Sequence, residues 1–286
     1  MATAPDNTIQ ATLVTALEAL APVHESARLD AVVLLAHVLG RSCAHLYAWP
    51  QAPLAHADLE RYRALVCRRA RGEPVAHLTG RREFWSMDLE VGPATLIPRP
   101  ETEHLVETAL AGIPPGARWC VADLGTGCGA VALAIARERP ACHIVGTDRC
   151  TAALAVAVRN ATRLATDNVS WTCGDWCEPL GARRFQVIVS NPPYVAAGDP
   201  HLTRGDLRFE PCAALLGGAD GLAAIRRIAR DARARLIPGG RLALEHGPDQ
   251  GPQVRCLLEG FGYDAVRTHC DLAGHERVTE ARVPPR

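Results

Sequence analysis

The sequence predicts an α/β protein: a doubly wound, largely parallel sheet preceded by a small all-helical region. Three observations carry this. From Trp119 onward, short apolar runs alternate with helical periodicity, the pattern of repeated β-α-β units. The first seventy or so residues show helical periodicity and no strand signal. The polar and glycine-rich motifs fall where predicted strands end, and open α/β sheets bind ligands outside the carboxyl ends of their strands.

In the helical region, Thr8 or Thr12 caps a first helix carrying Leu13, Leu17 and Leu20. Ala31 to Leu39 forms a second, ended by Gly40, and Leu59 to Arg71 a third, closed by Gly72 and Pro74. Arg61, Arg63, Arg68, Arg69 and Arg71 cluster here, with Glu60 and Glu73 the nearest acids. Such a cluster reads first as a solvated helix face, and second as a docking surface for an acidic protein or RNA. Residues 78–97 change to period-two alternation around Phe84 and through Met87 to Val91, which predicts a β-hairpin connector. The expected domains are therefore 1–77, 78–97 and 98–286. Pro100 starts a helix whose positive end is favoured by Glu101 and Glu103, and Arg99, held between two prolines, suits a pocket wall.

In the third region strands are expected at Trp119–Leu124, His143–Thr147, Val169–Cys173, Phe185–Ser190 and Arg241–His246. Further strand candidates lie near Ala265–Thr268 and Arg277–Ala281. The helices are Ala130–Arg137, Thr151–Leu164, Ala223–Leu236 and Gln250–Leu258.

Composition bounds the function. The 286 residues leave room for two domains and a sizeable core, and 48% hydrophobic with 22% charged residues is ordinary for a globular chain. The net charge is zero, so no basic field points to direct nucleic-acid binding. Every basic side chain other than histidine is arginine, which removes lysine nucleophiles and Schiff bases. The eleven cysteines lack a C-x-x-C pair, and the histidines form no H-E-x-x-H, so free thiols and no metal are expected. There is no basic leader or membrane-length apolar run, which gives an expectation of a cytoplasmic protein without membrane contact.

Two motifs carry the chemistry. Asp123-Leu124-Gly125-Thr126-Gly127-Cys128-Gly129 follows the first strand and opens a helix, so glycines can make the turn and let a ligand reach backbone N–H groups. Asp148 ends the next strand about twenty residues on, where a carboxylate accepts ribose hydroxyls. Gly125, Gly127 and Ala130 also satisfy the dinucleotide fingerprint in its alanine form, while Gly129 favours a G-x-G-x-G form; both readings mean an adenosine-type cofactor. Gly174-Asp175-Trp176 closes the third strand, with an acid for an adenine amino group and a ring to cover its face.

Asn191-Pro192-Pro193-Tyr194 ends the fourth strand. The prolines supply carbonyls without N–H donors, Asn191 adds a side-chain carbonyl, and Tyr194 adds a flat ring. This acceptor-rich corner suits a planar NH2 group, whose delocalised lone pair is a poor nucleophile until its hydrogens are held and its direction set.

Motif order narrows the reading. Arg82-Glu83-Phe84-Trp85, Ile97–Glu103, Asp123–Gly129, Asn191–Tyr194, Arg208-Phe209-Glu210-Pro211, Leu244-Glu245-His246-Gly247 and Glu276-Arg277-Val278 together resemble the HemK/PrmC family, the release factor glutamine methyltransferases. The resemblance spans nearly the whole chain. It implies a seven-stranded Rossmann-like class I methyltransferase domain that uses S-adenosyl-L-methionine and releases S-adenosyl-L-homocysteine. It implies that class-1 peptide chain release factors are the protein substrate, methylated on the glutamine of their Gly-Gly-Gln motif, with residues 1–77 docking them. By the same resemblance, Gly125, Thr126, Gly127, Cys128, Gly129, Asp148, Trp176 and Asn191 contact the cofactor. Asn191, Pro192, Pro193 and Tyr194 hold the substrate, with Asn191, Pro192 and Tyr194 catalytic. Cys128 stands where the family more often has another small residue, which adds an oxidisable thiol to the loop. Adenine-amino DNA methyltransferases share the Asn-Pro-Pro-Tyr corner, and a non-catalytic cofactor-binding module is the reading from a different class.

Overall fold

A computed structural model describes residues 7–203 and 205–285. The chain divides into two compact units, 1–80 and 81–286.

The first unit is helical: α1 (Ile9–Leu20), α2 (Ala27–Leu39), α3 (Cys43–Ala48), α4 (His56–Ala70) and α5 (Val75–Thr79). The side chain of Thr8 accepts from the Ala11 N–H to cap α1, and Gly40 ends α2 in the left-handed region. Ile9, Leu20, Leu34, Leu35, Leu46 and Tyr62 are buried in its core. The arginine cluster is not one surface. Arg69 turns inward to a buried pair with Asp30 at 2.7 Å, and its Nη1 donates to the Glu73 carbonyl at 3.1 Å. Arg61 pairs with Asp58, Arg63 with Glu60 and Arg68 with Glu73. The burial of Arg69 could not be read from a helix whose other arginines are solvated.

The second unit begins with the hairpin β1 (Arg81–Phe84) and β2 (Met87–Glu90). Trp85 and Ser86 both take positive φ, at 51° and 54°, the geometry of a two-residue hairpin turn. Phe84, Met87 and Leu89 are buried. Asn160 accepts from the Glu90 N–H at 2.7 Å and returns a bond to the Glu90 carbonyl at 3.0 Å. The hairpin is thereby fastened within this unit.

After α6 (Glu103–Gly112) come β3 (Cys120–Leu124), α7 (Ala130–Glu138), β4 (His143–Asp148), α8 (Thr151–Arg163), β5 (Val169–Cys173) and β6 (Phe185–Ser190). Then follow α9 (Cys212–Leu215), α10 (Ala223–Arg233), β7 (Leu236–Glu245), α11 (Gly251–Gly260), β8 (Asp264–Cys270) and β9 (Glu276–Arg282). The sheet has seven strands in the order β5-β4-β3-β6-β7-β9-β8. The first five are parallel, and β9 pairs antiparallel with both β7 and β8.

Ala122, Leu124, Ile188, Leu242 and Leu244 join Ile225, Ile228, Ala229, Val254 and Leu258 of α10 and α11 in one core. Residues at alternate positions, such as Val121 and Val189, point to the opposite face. Buried α10 positions lie three and four apart, while Arg226, Arg227, Arg230, Asp231 and Arg233 lie on the polar remainder of the helix. β7 runs five residues further toward its N-terminus than expected, across Pro238 and two glycines, where pairing with β6 shifts register. The chain builds outward from β3 through β4 to β5, then returns to lay β6 on the other side of β3. That reversal opens a crevice at the carboxyl ends of β3 and β6.

Candidate active site

A cavity of about 600 Å³, within the range of small-molecule sites, lies at this crevice. Its walls include Gly125, Thr126, Gly127, Cys128, Asp148, Trp176, Asn191 and Pro193. Gly129, Pro192 and Tyr194 lie beside it rather than in its lining.

The loop after β3 is held by its own backbone and two carboxylates. Asp123, buried, accepts from the Thr126 hydroxyl at 2.6 Å and from the Ala132 N–H at 3.2 Å. Burial pushes its pKa up to about 6, opposed by those two bonds. The N–H groups of Gly125 and Thr126 both donate to the Thr147 carbonyl of β4, at 2.8 and 2.9 Å. Gly125 and Gly129 have φ of 71° and 86°, and a Cβ would meet Trp176 at 2.9 Å and Trp171 at 2.8 Å respectively. Two tryptophans therefore pack directly on the loop's backbone. Trp171 was not foreseen, because a strand tryptophan reads as ordinary core.

Asp148 accepts from the Gly127 N–H at 2.9 Å through Oδ2 and from the Cys150 N–H at 2.8 Å through Oδ1. A carboxylate offers about four acceptor positions, so two remain for hydroxyls of a ligand. Trp176 takes a positive φ of 51°, and its carbonyl accepts from the Thr147 hydroxyl at 3.0 Å. Asp175 also lines the cavity and pairs with Arg227 at 2.5 Å. Cys128 is buried, its thiol pKa pushed up to about 12 by that burial, and its carbonyl accepts from Asn160 at 3.0 Å. Burial disfavours the reactive thiolate, which lowers the oxidation hazard expected of this thiol.

The corner after β6 is held by side chains from distant parts of the chain. Ser190 donates to the Leu124 carbonyl at 2.7 Å, joining the two strand ends. The Asn191 Nδ2 donates to the buried Thr102 hydroxyl oxygen at 3.0 Å, while the Tyr194 hydroxyl donates to Glu245 at 3.3 Å. Burial raises the Tyr194 pKa further above its ordinary value, so the phenol stays protonated. Gln250 donates to the Tyr194 carbonyl at 3.0 Å, and Val195 bridges to Leu216. Near the cavity, Arg99 pairs with Glu210, whose other oxygen accepts from the Ile97 N–H at 2.9 Å. Thr102, Glu210 and Glu245 carry no recognisable chemistry alone. Their signal lay in the Ile97–Glu103, Arg208–Pro211 and Leu244–Gly247 motifs, whose order was legible but whose contacts were not.

The fit to an adenosine-type cofactor is geometric: a glycine loop that side chains could not occupy, an acid with spare acceptors, and an indole at neighbouring strand ends. Among the described residues, no group of three or more His, Cys, Asp or Glu is placed to hold a metal ion, and no helix is long and apolar enough to cross a membrane.

A seven-stranded sheet of this order, with that loop at its switch point, defines a Rossmann-like class I methyltransferase. Residues 12–80 match the model of the PrmC N-terminal domain, and residues 103–206 that of the methyltransferase small domain. A release factor glutamine methyltransferase of Xylella fastidiosa is 53% identical over 257 residues, covering 90% of this chain and 94% of its own length. One from Escherichia coli is 49% identical over 259 residues, covering 90% and 93%. The chain belongs to the release factor glutamine methyltransferase family. A methyltransferase of Pyrococcus furiosus, at 20% identity, shares the fold with a TM-score of 0.54 over 77% of this chain and 98% of its own.

Proposed function

We propose that this enzyme transfers a methyl group from S-adenosyl-L-methionine to the side-chain amide nitrogen of the glutamine in the Gly-Gly-Gln motif of class-1 peptide chain release factors. The observation that carries the reading is the Asn191 carboxamide, fixed by Thr102 at the rim of the cofactor cavity. Family membership supports a release factor as the substrate.

S-adenosyl-L-methionine supplies an electrophilic sulfonium methyl and leaves as S-adenosyl-L-homocysteine. Gly125 to Gly129 give the cofactor a close backbone surface, Asp148 accepts its ribose hydroxyls, and Trp176 covers its adenine. Asn191 has committed its Nδ2 to Thr102, and its Oδ1 has no protein donor among the described residues. That oxygen, with the carbonyls of the two prolines, accepts the hydrogens of the substrate amide. Tyr194 bounds the plane of the amide. Holding both hydrogens orients the nitrogen toward the methyl and favours its pyramidalisation as the bond forms. The amide proton then leaves to solvent. The helical unit docks the release factor, a substrate that requires the enzyme to work in the cytoplasm.

The test is incubation with isotopically labelled S-adenosyl-L-methionine and a purified class-1 release factor, followed by mass spectrometry of the tryptic peptide bearing Gly-Gly-Gln. One added methyl on that glutamine is expected. An unmodified glutamine overturns the proposal.

A further inference from the structure

The Tyr194 end of the substrate corner is tied by a side chain that the chemistry above leaves unassigned. Gln250 stands in the turn between β7 and α11, immediately before that helix. Its Nε2 donates to the Tyr194 carbonyl at 3.0 Å, and its Oε1 accepts from the Gly247 N–H at 2.8 Å. A backbone N–H only donates and a carbonyl only accepts, so the carboxamide has one orientation. Gly221 closes on the same bond from the other side. A Cβ there would meet the Gln250 Nε2 at 2.6 Å and overlap the Tyr194 carbonyl oxygen.

Gly247 is held in turn from behind. The Nδ1 of His246, a fully buried residue, lies 2.8 Å from the Gly247 carbonyl, and its Nε2 lies 2.8 Å from the Thr279 hydroxyl. The carbonyl can only accept, so Nδ1 carries a hydrogen. Burial, opposed by the Gly247 bond and Glu276 and joined by Arg255 and Arg277, lowers the His246 pKa, so the ring holds one proton. Nε2 is then an acceptor, and Thr279 gives it the one proton a hydroxyl has. Thr279 must therefore accept from the Thr268 hydroxyl at 2.9 Å, and Thr268 accepts from the Arg255 Nη1 at 2.7 Å. The same Nη1 also donates to Glu276 at 2.7 Å, which anchors the guanidinium. From Arg255 to the Tyr194 carbonyl every donor points the same way.

We infer that Gln250 is a positioning residue for methyl transfer: it fixes the Tyr194 end of the corner, as Thr102 fixes the Asn191 end, and the chain from Arg255 through Thr268, Thr279 and His246 holds the Gly247 on which it rests. The inference rests on the reading that Asn191 and Tyr194 hold the substrate amide. A corner tied at both ends keeps its acceptors and its ring in place as the amide enters. Releasing one end therefore costs orientation in the transition state and leaves binding of either substrate nearly unchanged.

The experiment compares wild type, Gln250→Glu and Gln250→Met in methyl transfer to a purified release factor, with S-adenosyl-L-methionine affinity measured by calorimetry. Gln250→Glu keeps the acceptor for Gly247 but sets a carboxylate oxygen, which has no proton, against the Tyr194 carbonyl. Gln250→Met keeps the length of the side chain and loses both bonds. Each variant is expected to lower kcat by about 10-fold, with cofactor affinity and KM for the release factor within about threefold. In the free wild-type enzyme, ¹⁵N NMR of labelled histidine should show His246 protonated at Nδ1 alone, its signals assigned by their loss in His246→Gln. Wild-type kcat in either variant, a loss carried by KM or by cofactor affinity, or a His246 proton on Nε2 overturns the inference. If wild type transfers no methyl, the functional reading fails, and the tautomer, read without substrate, still decides the chain.

Discussion

The two loops that meet at the switch point are built in opposite ways. The loop after β3 is held by nearby backbone: Asp123 reaches three and nine residues ahead, and Gly125 and Thr126 bond the adjacent strand. The corner after β6 is held by Thr102, 89 residues away in sequence, and by Glu245, 51 residues away. A locally determined loop tolerates changes elsewhere in the chain. A corner held from a distance has its acceptor geometry set by the tertiary fold, which suits a group that must face one substrate atom. The difference teaches that cofactor binding and substrate orientation should fail separately.

The largest expected break is on the distant-contact side. Asn191→Ala should lower kcat by about 10²–10³-fold, the scale for losing one preorganised transition-state hydrogen bond, while cofactor affinity stays within a few-fold. Equal losses in kcat and cofactor affinity would show that the two loops are not separable.

A second prediction concerns the carboxyl that holds the corner. Burial raises the Glu245 pKa from 4.5 to about 7, so the folded state keeps a proton that the unfolded chain releases. Stability should therefore fall as pH rises from about 4.5 to about 7 and level off above, by on the order of 3 kcal/mol from this group. Asp123, raised to about 6, contributes in the same direction at lower pH. Urea unfolding of wild type and Glu245→Gln at about pH 5 and pH 8 checks it. The variant should show the smaller pH dependence, and an unchanged dependence would remove Glu245 from the account.

On the local side, Gly125→Ala places a Cβ at 2.9 Å from Trp176 on a backbone with φ of 71°. The left-handed penalty of roughly 1–2 kcal/mol, transmitted to the cavity wall, should weaken cofactor binding about 10-fold. At saturating cofactor, kcat should stay near wild type; calorimetry and kinetics together read the split. The smallest effect belongs to Cys128→Ser. Cofactor affinity should move by less than about threefold, and the wild-type Cys128 thiol should resist alkylation at neutral pH because its pKa is pushed up to about 12. Prompt labelling of Cys128 in the native protein would contradict its placement.

What the sequence revealed follows the same division. The strand ends at the site, the glycine loop, Asp148 and the Asn191 corner were legible because each lies in one short stretch with its own turn chemistry. Thr102 and Glu245 were visible only as members of ordered motifs, because a threonine at a helix start and a glutamate at a strand end have ordinary local explanations. Their contacts come from the tertiary fold, which sets β6 beside β7 so that Tyr194 reaches Glu245, and brings Thr102 to the Asn191 carboxamide. The inward turn of Arg69 was hidden for the same reason, since its partner Asp30 is 39 residues away.

The most direct measurement is a crystal structure of the enzyme with S-adenosyl-L-homocysteine and a peptide containing Gly-Gly-Gln. The glutamine amide nitrogen should lie within about 3 Å of the Asn191 Oδ1, with the Asn191 Nδ2 still on Thr102. A glutamine side chain pointing away from Asn191, or an Asn191 released from Thr102, would contradict the account.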